Sequence, residues 1–342
     1  MPTINEIAQR AGVSVSTVSR ALNNKKGVGR KMRGKIISIA DEINYFPHSS
    51  ARALVQKRIG VIGVVIPRTS EFAFQNPFYP KMLMGISSTA QMHDYNLMLD
   101  INKKEGYVSL YYRKLVDGII VIGNRIHASY MKELNENKIP SVVVPGYPAG
   151  SCYTIPSVAP DTFKSVQRVV SYLIKLGHRK IAFILGKMTS MFSIERFAAY
   201  KAAFEENNLT YDPKYLLESN FSQKDGFRLM GDLLDFSDPP TSVICINDNV
   251  TPGVMQQIKK RGLNIPEDIS VVAIGSSDVL DSFEPPLTCI KTPVVEVGQT
   301  AAKTLIQLIE TGHCAKRHTG IPAELIIRDS TGACSREKAS LN

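Results

Sequence analysis

The chain has 342 residues, 44% hydrophobic and 21% charged, with a formal net charge of +10. That composition is ordinary for a globular protein, and the length exceeds one core, so two or three domains are expected. No apolar run approaches the roughly 18 residues of a membrane-spanning helix, and the opening "MPTINEIAQRAG" has no apolar segment of the secretory kind. The five cysteines, Cys152, Cys245, Cys289, Cys314 and Cys334, are odd in number and lack C-x-x-C spacing. Reduced thiols in a cytoplasmic protein are therefore expected, with no metal site and no cofactor.

The charge is unevenly placed. Residues 1–58 hold eleven Lys/Arg against three acids, a balance of +8, so the remainder carries only +2 of the total. A small module that meets a polyanion, joined to a nearly neutral body, would produce this asymmetry. A solvated basic face without a partner would also produce it.

Within that module Thr3 and Glu6 read as a T-x-x-E capping box opening a helix, in which Ile4, Ile7, Ala8 and Ala11 share a face. Gly12 ends the helix. Ser14 caps a second one, where Val15, Val18 and Leu22 recur at helical spacing. Two short helices joined by a Gly-containing turn make a helix-turn-helix. The second helix carries short hydroxyls near its start, as close approach to a major groove requires. Ser16 and Ser19 can reach phosphates or base edges, and Thr17 fits the same approach. Arg20 can form a paired bond to guanine. A third helix follows from about Arg30 to Asn44, with Ile36, Ile39, Ala40 and Ile43 inward. A plain three-helix bundle without a ligand is the alternative.

After Tyr45, Pro47 stops the third helix. Ser49 or Ser50 can cap a short helix through Ala51, Arg52, Ala53 and Leu54, too short to be stable alone in water. It would form when something packs against it; otherwise the segment is a flexible tether.

From Ile59 onward apolar β-branched runs alternate with helical patterns. The strand candidates are "IGVIGVVIP", "NLMLDI", "DGIIVIG", "PSVVVP", "KIAFIL", "SVICIN" and "SVVAIG", interleaved with helices such as "SVQRVVSYLIKLG" and "VEVGQTAAKTLIQLIETG". Strands buried on both faces imply parallel sheets covered by helices. There are enough for two open α/β lobes, with a ligand cleft between the carboxyl ends of their strands.

"TINEIAQRAGVSVSTVSRALN" followed by "INYFPHSSARAL" resembles the lactose/galactose repressor family of bacterial transcription regulators. The likeness continues through "GHRKIAFILG", "ERFAAYKAAF", "INDNVTPGV" and "GLNIPEDISVVAIG". "EFAFQNPFYPKMLMGIS" and "FEPPLT" look closest to maltose-type regulators of Gram-positive bacteria. The resemblance implies an α/β chain with an all-α helix-turn-helix head, residues 1–46, and a hinge helix, residues 47–58. Next comes a two-lobed core like a periplasmic binding protein, residues 59–330, and a tail, residues 331–342. One lobe would comprise about 59–160 and 291–322, the other about 161–290 and 323–330. The implied partners are a double-stranded operator, a sugar or sugar derivative as effector, and a second copy of the chain. A symmetric pair suits a palindromic operator, and with no leucine-heptad tail a tetramer is not expected.

By the same resemblance Val15, Ser16 and Arg20 read bases and Thr17 and Ser19 meet phosphate. Thr3, Asn23, Arg30, His48, Ser50, Arg52 and Ala53 complete the DNA contacts. Leu54 would wedge a central base step from the minor groove. In the cleft, Arg196 would donate to effector oxygens, Asn247 would hold a hydroxyl and Phe221 would stack on a ring. Phe78, Asn124, Ser190 and Thr292 complete the wall, and Asp248 is read as a helix cap.

The chain departs from the family's pattern in several places. Pro160 stands where an aspartate is common, with Asp161 one step away. Gly275 stands where a carboxylate is expected, which Asp278 would have to replace. Ser190 stands where purine-type members carry an arginine. The segment before "VDG" is about two turns short, keeping only "YVSLYYRKL", so dimer geometry would differ. The rival classes are an α/β enzyme or a solute binder with a basic head. Neither a G-x-S-x-G elbow, a phosphate-binding G-x-x-x-x-G-K-[ST] loop nor H-E-x-x-H is present.

Overall fold

The structure, a computed structural model, describes residues 2–23, 25–45, 58–101, 106–123, 128–145, 153–275 and 278–334. Of the residues singled out above, Pro47, His48, Ser49, Ser50, Ala51, Arg52, Ala53, Leu54, Asn124 and Cys152 lie outside that set. The chain divides into two compact units, Met1–Gly60 and Val61–Asn342.

The first unit contains α1 (Ile4–Ala11), α2 (Val15–Leu22) and α3 (Arg30–Glu42). Thr3 Oγ1 accepts the Glu6 N–H at 3.3 Å, which starts α1. The expected box is only half built, because the Glu6 carboxylate turns forward to Arg10 at 2.9 Å. Gly12 closes α1 at φ 72, a left-handed value that a side chain disfavours. Ser14 then caps α2, its Oγ accepting the Thr17 N–H at 3.2 Å. Ile7, Val18 and Ile36, each fully buried, form the centre on which the three helices close. The third helix ends at Glu42 rather than Asn44, which takes a left-handed φ of 51.

The second unit holds two six-stranded sheets. In the first, β1 (Val61–Ile66), β2 (Asn96–Ile101), β3 (Gly118–Ile122), β4 (Ser141–Val144), β5 (Ser157–Asp161) and β11 (His318–Pro322) lie in the order β11-β5-β4-β3-β1-β2. All these pairings are parallel. In the second, β6 (Ile181–Leu185), β7 (Leu216–Glu218), β8 (Ser242–Cys245), β9 (Ser270–Gly275), β10 (Thr288–Lys291) and β12 (Glu324–Ile326) lie in the order β12-β10-β9-β8-β6-β7. Only the β10–β12 pair is antiparallel.

Successive side chains of the central strands serve opposite faces, as the pleat requires. Ile62, Val64 and Ile66 pack under the helices Phe78–Met92 and Val294–Thr311, whereas Val65 packs with Leu110, Met131 and Leu134. This is the two-faced burial expected of parallel strands. β2 departs from it. As an edge strand "NLMLDI" has no fully buried residue, and Leu99 is 40% exposed. The shortened segment before "VDG" is the helix Val108–Tyr112.

Candidate functional site

Two regions concentrate functional side chains, and each is built differently. In the first unit α2 presents Val15, Ser16 and Arg20 as exposed residues, with Thr17, Ser19 and Asn23 half-buried beside them. Val15, at the first position of the helix, is 40% exposed. The hydroxyls are already linked. Ser14 Oγ meets Ser16 Oγ at 2.8 Å and Thr17 Oγ1 at 2.9 Å, while Asn23 Nδ2 donates to the Ser19 carbonyl at 2.8 Å. Arg20 forms no ion pair among the described residues, and its guanidinium lies over the Gly27 turn. Thr3 and Arg30 are exposed at the starts of α1 and α3. Lys35 donates to the Ala11 carbonyl at 3.2 Å and Arg33 to the Lys25 carbonyl at 2.6 Å. Basic residues thus brace the loops of this unit as well as charging its surface.

The second region is a cleft in the other unit, enclosing about 780 Å³ with its open mouth included. Its walls come from the carboxyl ends of strands in both sheets, the usual ligand position in open α/β structures. The first sheet contributes Arg68 just beyond β1, Gly123 beyond β3, Pro145 beyond β4 and Pro160 in β5. The second contributes Ile246, Asn247 and Asp248 beyond β8, Gly275 at the end of β9 and Thr292 beyond β10. The helix Met191–Glu206 adds Phe192, Ser193 and Arg196.

Among the expected wall residues Phe78, Arg196, Phe221, Asn247 and Thr292 do line the cleft. Ser190 does not. It is the residue before the first turn of Met191–Glu206, 4% exposed, and the helical repeat brings Ser193, one turn on, to the wall instead. Asp248, read as a helix cap, lines the cleft instead, while Asn247 keeps its place on the wall and its Oδ1 accepts the Val250 N–H at 2.9 Å. The residue before the helix Val250–Lys260 is Asn249, which makes no side-chain cap bond. The side chain of Asp278 lies outside the described set.

Gly275 has a steric role. A Cβ built there would stand 1.8 Å from Asp248 Oδ1, so the Asp248 carboxylate fills the space in front of the glycine. The carbonyl of Gly275 accepts two bonds from Thr292, from the N–H at 2.7 Å and from Oγ1 at 2.8 Å. The strand end is thereby pinned beneath that carboxylate.

Arg196 is 7% exposed. It donates to the Ile246 carbonyl at 3.2 Å and approaches Thr162 Oγ1 at 3.4 Å, with its guanidinium 5.3 Å from the Phe192 ring centre. Burial pulls its pKa down to about 10, against the neighbouring Glu195, which supports the charge. The Glu195 carboxyl is itself raised by burial, with Arg196 opposing that rise.

Phe221 holds a left-handed φ of 65, a conformation costing a non-glycine residue on the order of 1 kcal/mol. Its N–H donates to Ser219 Oγ at 3.3 Å, and its ring lies against Gly186. Across the cleft it meets Phe72 edge-on at 6.4 Å, and Phe78 meets Phe192 at the same separation. Phe72, Phe192, Arg68 and Asp248 are wall residues that motif reasoning did not select. The signal was their position just past apolar strands, or one turn into the helices that follow.

His178, shortly after the helix Phe163–Lys175, is buried. Its Nε2 lies 3.1 Å from both Ser270 Oγ and the Gly332 carbonyl, and its Nδ1 lies 2.9 Å from Thr241 Oγ1. No group of three or more metal-ligating side chains occurs among the described residues.

Comparison with known proteins gives the following. The family model for bacterial regulatory proteins of the lacI family matches residues 3–48, and that for a periplasmic binding protein-like domain matches 170–331. The HTH-type transcriptional repressor PurR of Vibrio vulnificus is 30% identical over 96% of this chain and 98% of its own length. The repressor CytR of Escherichia coli K12 is 29% identical over 97% and 96%. Among solved structures, the Lac repressor dimer bound to operator and the anti-inducer ONPF superposes with a TM-score of 0.85. It is 25% identical and covers 97% of this chain and 99% of that one.

Proposed function

The chain belongs to the lacI family of bacterial regulatory proteins, and from that premise we propose that it represses transcription as a dimer bound to a pseudo-palindromic operator, under control of a small molecule in the cleft. The helix-turn-helix head grips DNA. Arg20 reads a guanine through its paired donors, Val15 and Ser16 contact neighbouring base edges, and Thr17 and Ser19 hold phosphate. The observation that carries this is the exposed, uncommitted Arg20 beside exposed Val15 and Ser16 on a helix capped by Ser14. The Lac repressor match, a dimer on its operator, supports the same mode.

The sequence segment "HSSARAL" is assigned to the hinge that pairs in the minor groove, with Leu54 as the wedge and His48, Ser50, Arg52 and Ala53 around it. In the cleft Phe78, Phe221, Arg196, Asn247 and Thr292, with Asn124, receive the effector. The cleft binds its ligand rather than transforming it, a reading supported by the repressors this chain is similar to, and three of its polar side chains are tied to the fold. Asn247 is held by Val250, Thr292 by Gly275 and Arg196 by Ile246. The protein acts in the cytoplasm, where its operator is; no described helix is long and apolar enough to cross a membrane.

Operator selection from genomic fragments tests this reading. The full chain should retain a palindromic duplex, and removal of residues 1–58 should abolish retention. Equal retention of all fragments would overturn it.

A further inference from the structure

Arg68 stands on the cleft wall just beyond β1. It follows β1 in a braced turn, where its N–H donates to the Ile66 carbonyl at 2.8 Å. The next residue, Thr69, caps the helix Ser70–Gln75 by accepting the Phe72 N–H at 3.3 Å. The guanidinium lies 5.1 Å from the centre of the Phe72 ring. Its Nε is buried without a hydrogen-bond partner, and among the described residues no carboxylate comes within 4.0 Å of it. A half-buried guanidinium stacked on a ring keeps its N–H edge for an oxyanion, and here the protein supplies none.

The surroundings point the same way. Arg68, Phe72 and Phe221 line both the cleft and an outer recess of about 770 Å³ with its mouth included. Thr69, Lys187 and Asn220 complete the polar lining of that recess, and no acidic residue lines it among those described. Lys187 lies 3.5 Å from Glu218, so part of its charge is balanced; Arg68 has no such partner. In the cleft two guanidiniums, Arg68 and Arg196, face one carboxylate, Asp248. That carboxylate is packed before Gly275, on the second sheet.

We propose that the effector carries an anionic oxygen group, a phosphate ester or a carboxylate, gripped by Arg68 where the cleft and the outer recess share a wall. The body of the ligand then occupies the aromatic cleft beside Arg196, and its charged end faces Lys187 and Asn220. This inference rests on the reading of the cleft as the effector site and names the ligand's class.

The test uses the full chain in a thermal-shift panel. Sugar phosphates, sugar acids and nucleoside monophosphates are each paired with the neutral parent, with inorganic phosphate alone alongside. Hits are then measured by titration calorimetry. At least one anionic compound should raise the melting temperature while its parent binds at least tenfold more weakly. Phosphate hits against carboxylate hits decide between the two sources. Arg68→Gln should weaken the hit at least tenfold without lowering the melting temperature of the free protein, and Arg68→Lys should restore part of the affinity. A neutral compound that binds as tightly as its anionic partner would overturn the anion inference and leave the effector reading intact. So would an anionic hit whose affinity Arg68→Gln leaves within twofold. If no compound of either kind binds and operator affinity responds to none, both readings fall.

Discussion

The head and the cleft solve opposite problems. The head presents its candidate contact residues on the outside of a helix; Arg20 is exposed without an ion pair among the described residues, Ser16 is exposed with its hydroxyl shared only with Ser14, and Val15 is an apolar residue left 40% in solvent. The cleft, Arg68 apart, presents groups already bonded or strained, with Arg196 fastened to Ile246, Asn247 to Val250 and Phe221 held at a positive φ. A surface that recognises a rigid polyanion can be built from loose ends on a stiff helix. A pocket that reports occupancy must be wired into its own scaffold, so that filling it moves the walls.

Substitutions at cleft residues bonded into the scaffold should therefore disturb folding, whereas those at exposed, unbonded side chains of the head should leave it alone. Arg196→Ala is the largest expected effect. It leaves the Ile246 carbonyl without its donor and a void beside Phe192, so denaturant unfolding should show a loss of about 2–4 kcal/mol. No loss would mean that the arginine is not part of the scaffold. Arg20→Ala should cost about 1–3 kcal/mol in operator binding, relax preference at one base pair and leave unfolding unchanged. Uniform weakening across all sequences would remove its base-reading role.

Ser14→Ala sits between these cases. Loss of the cap on the Thr17 N–H should lower the head's stability by about 1 kcal/mol, and operator affinity should fall with it. Amide exchange in α2 reads the first quantity and a binding titration the second. Phe221→Gly should change stability least, within about 1 kcal/mol, because relief of the left-handed strain offsets the lost ring contacts. Its effector affinity should nevertheless drop measurably. A stability loss above 3 kcal/mol would show that the ring, not the backbone, governs this site.

The sequence was most informative where one residue type has one use. The Gly12 turn, the Ser14 cap and the buried Ile7, Val18 and Ile36 were readable because each combines spacing with a specific backbone need. The central strands were readable from unbroken apolar runs. β5, β7, β10 and β12 are short and mixed, and β11 reads "HTGIP". They are strands because neighbours already in place complete their ladders. β2 looked buried because "NLMLDI" is apolar, but strand order puts it at an edge.

In the cleft, Phe78, Arg196, Phe221, Asn247 and Thr292 were legible as wall residues, but whether Asp248 caps a helix or lines the cavity, and which of Ser190 and Ser193 meets it, depends on where the following helix begins. Arg68 escaped notice because an arginine after a strand is ordinary until its lack of a counter-charge is visible.

The covalent path between the two sheets has its own implication. The chain passes from one to the other after β5, again after β10 and a third time between β11 and β12, where the Ala323 N–H donates to the Asp161 carbonyl at 3.2 Å. A protease nick at any one passage would leave two peptide tethers intact. The halves could be neither expressed apart by a single truncation nor pulled apart by one cut, and any swing between them must bend three backbones in step.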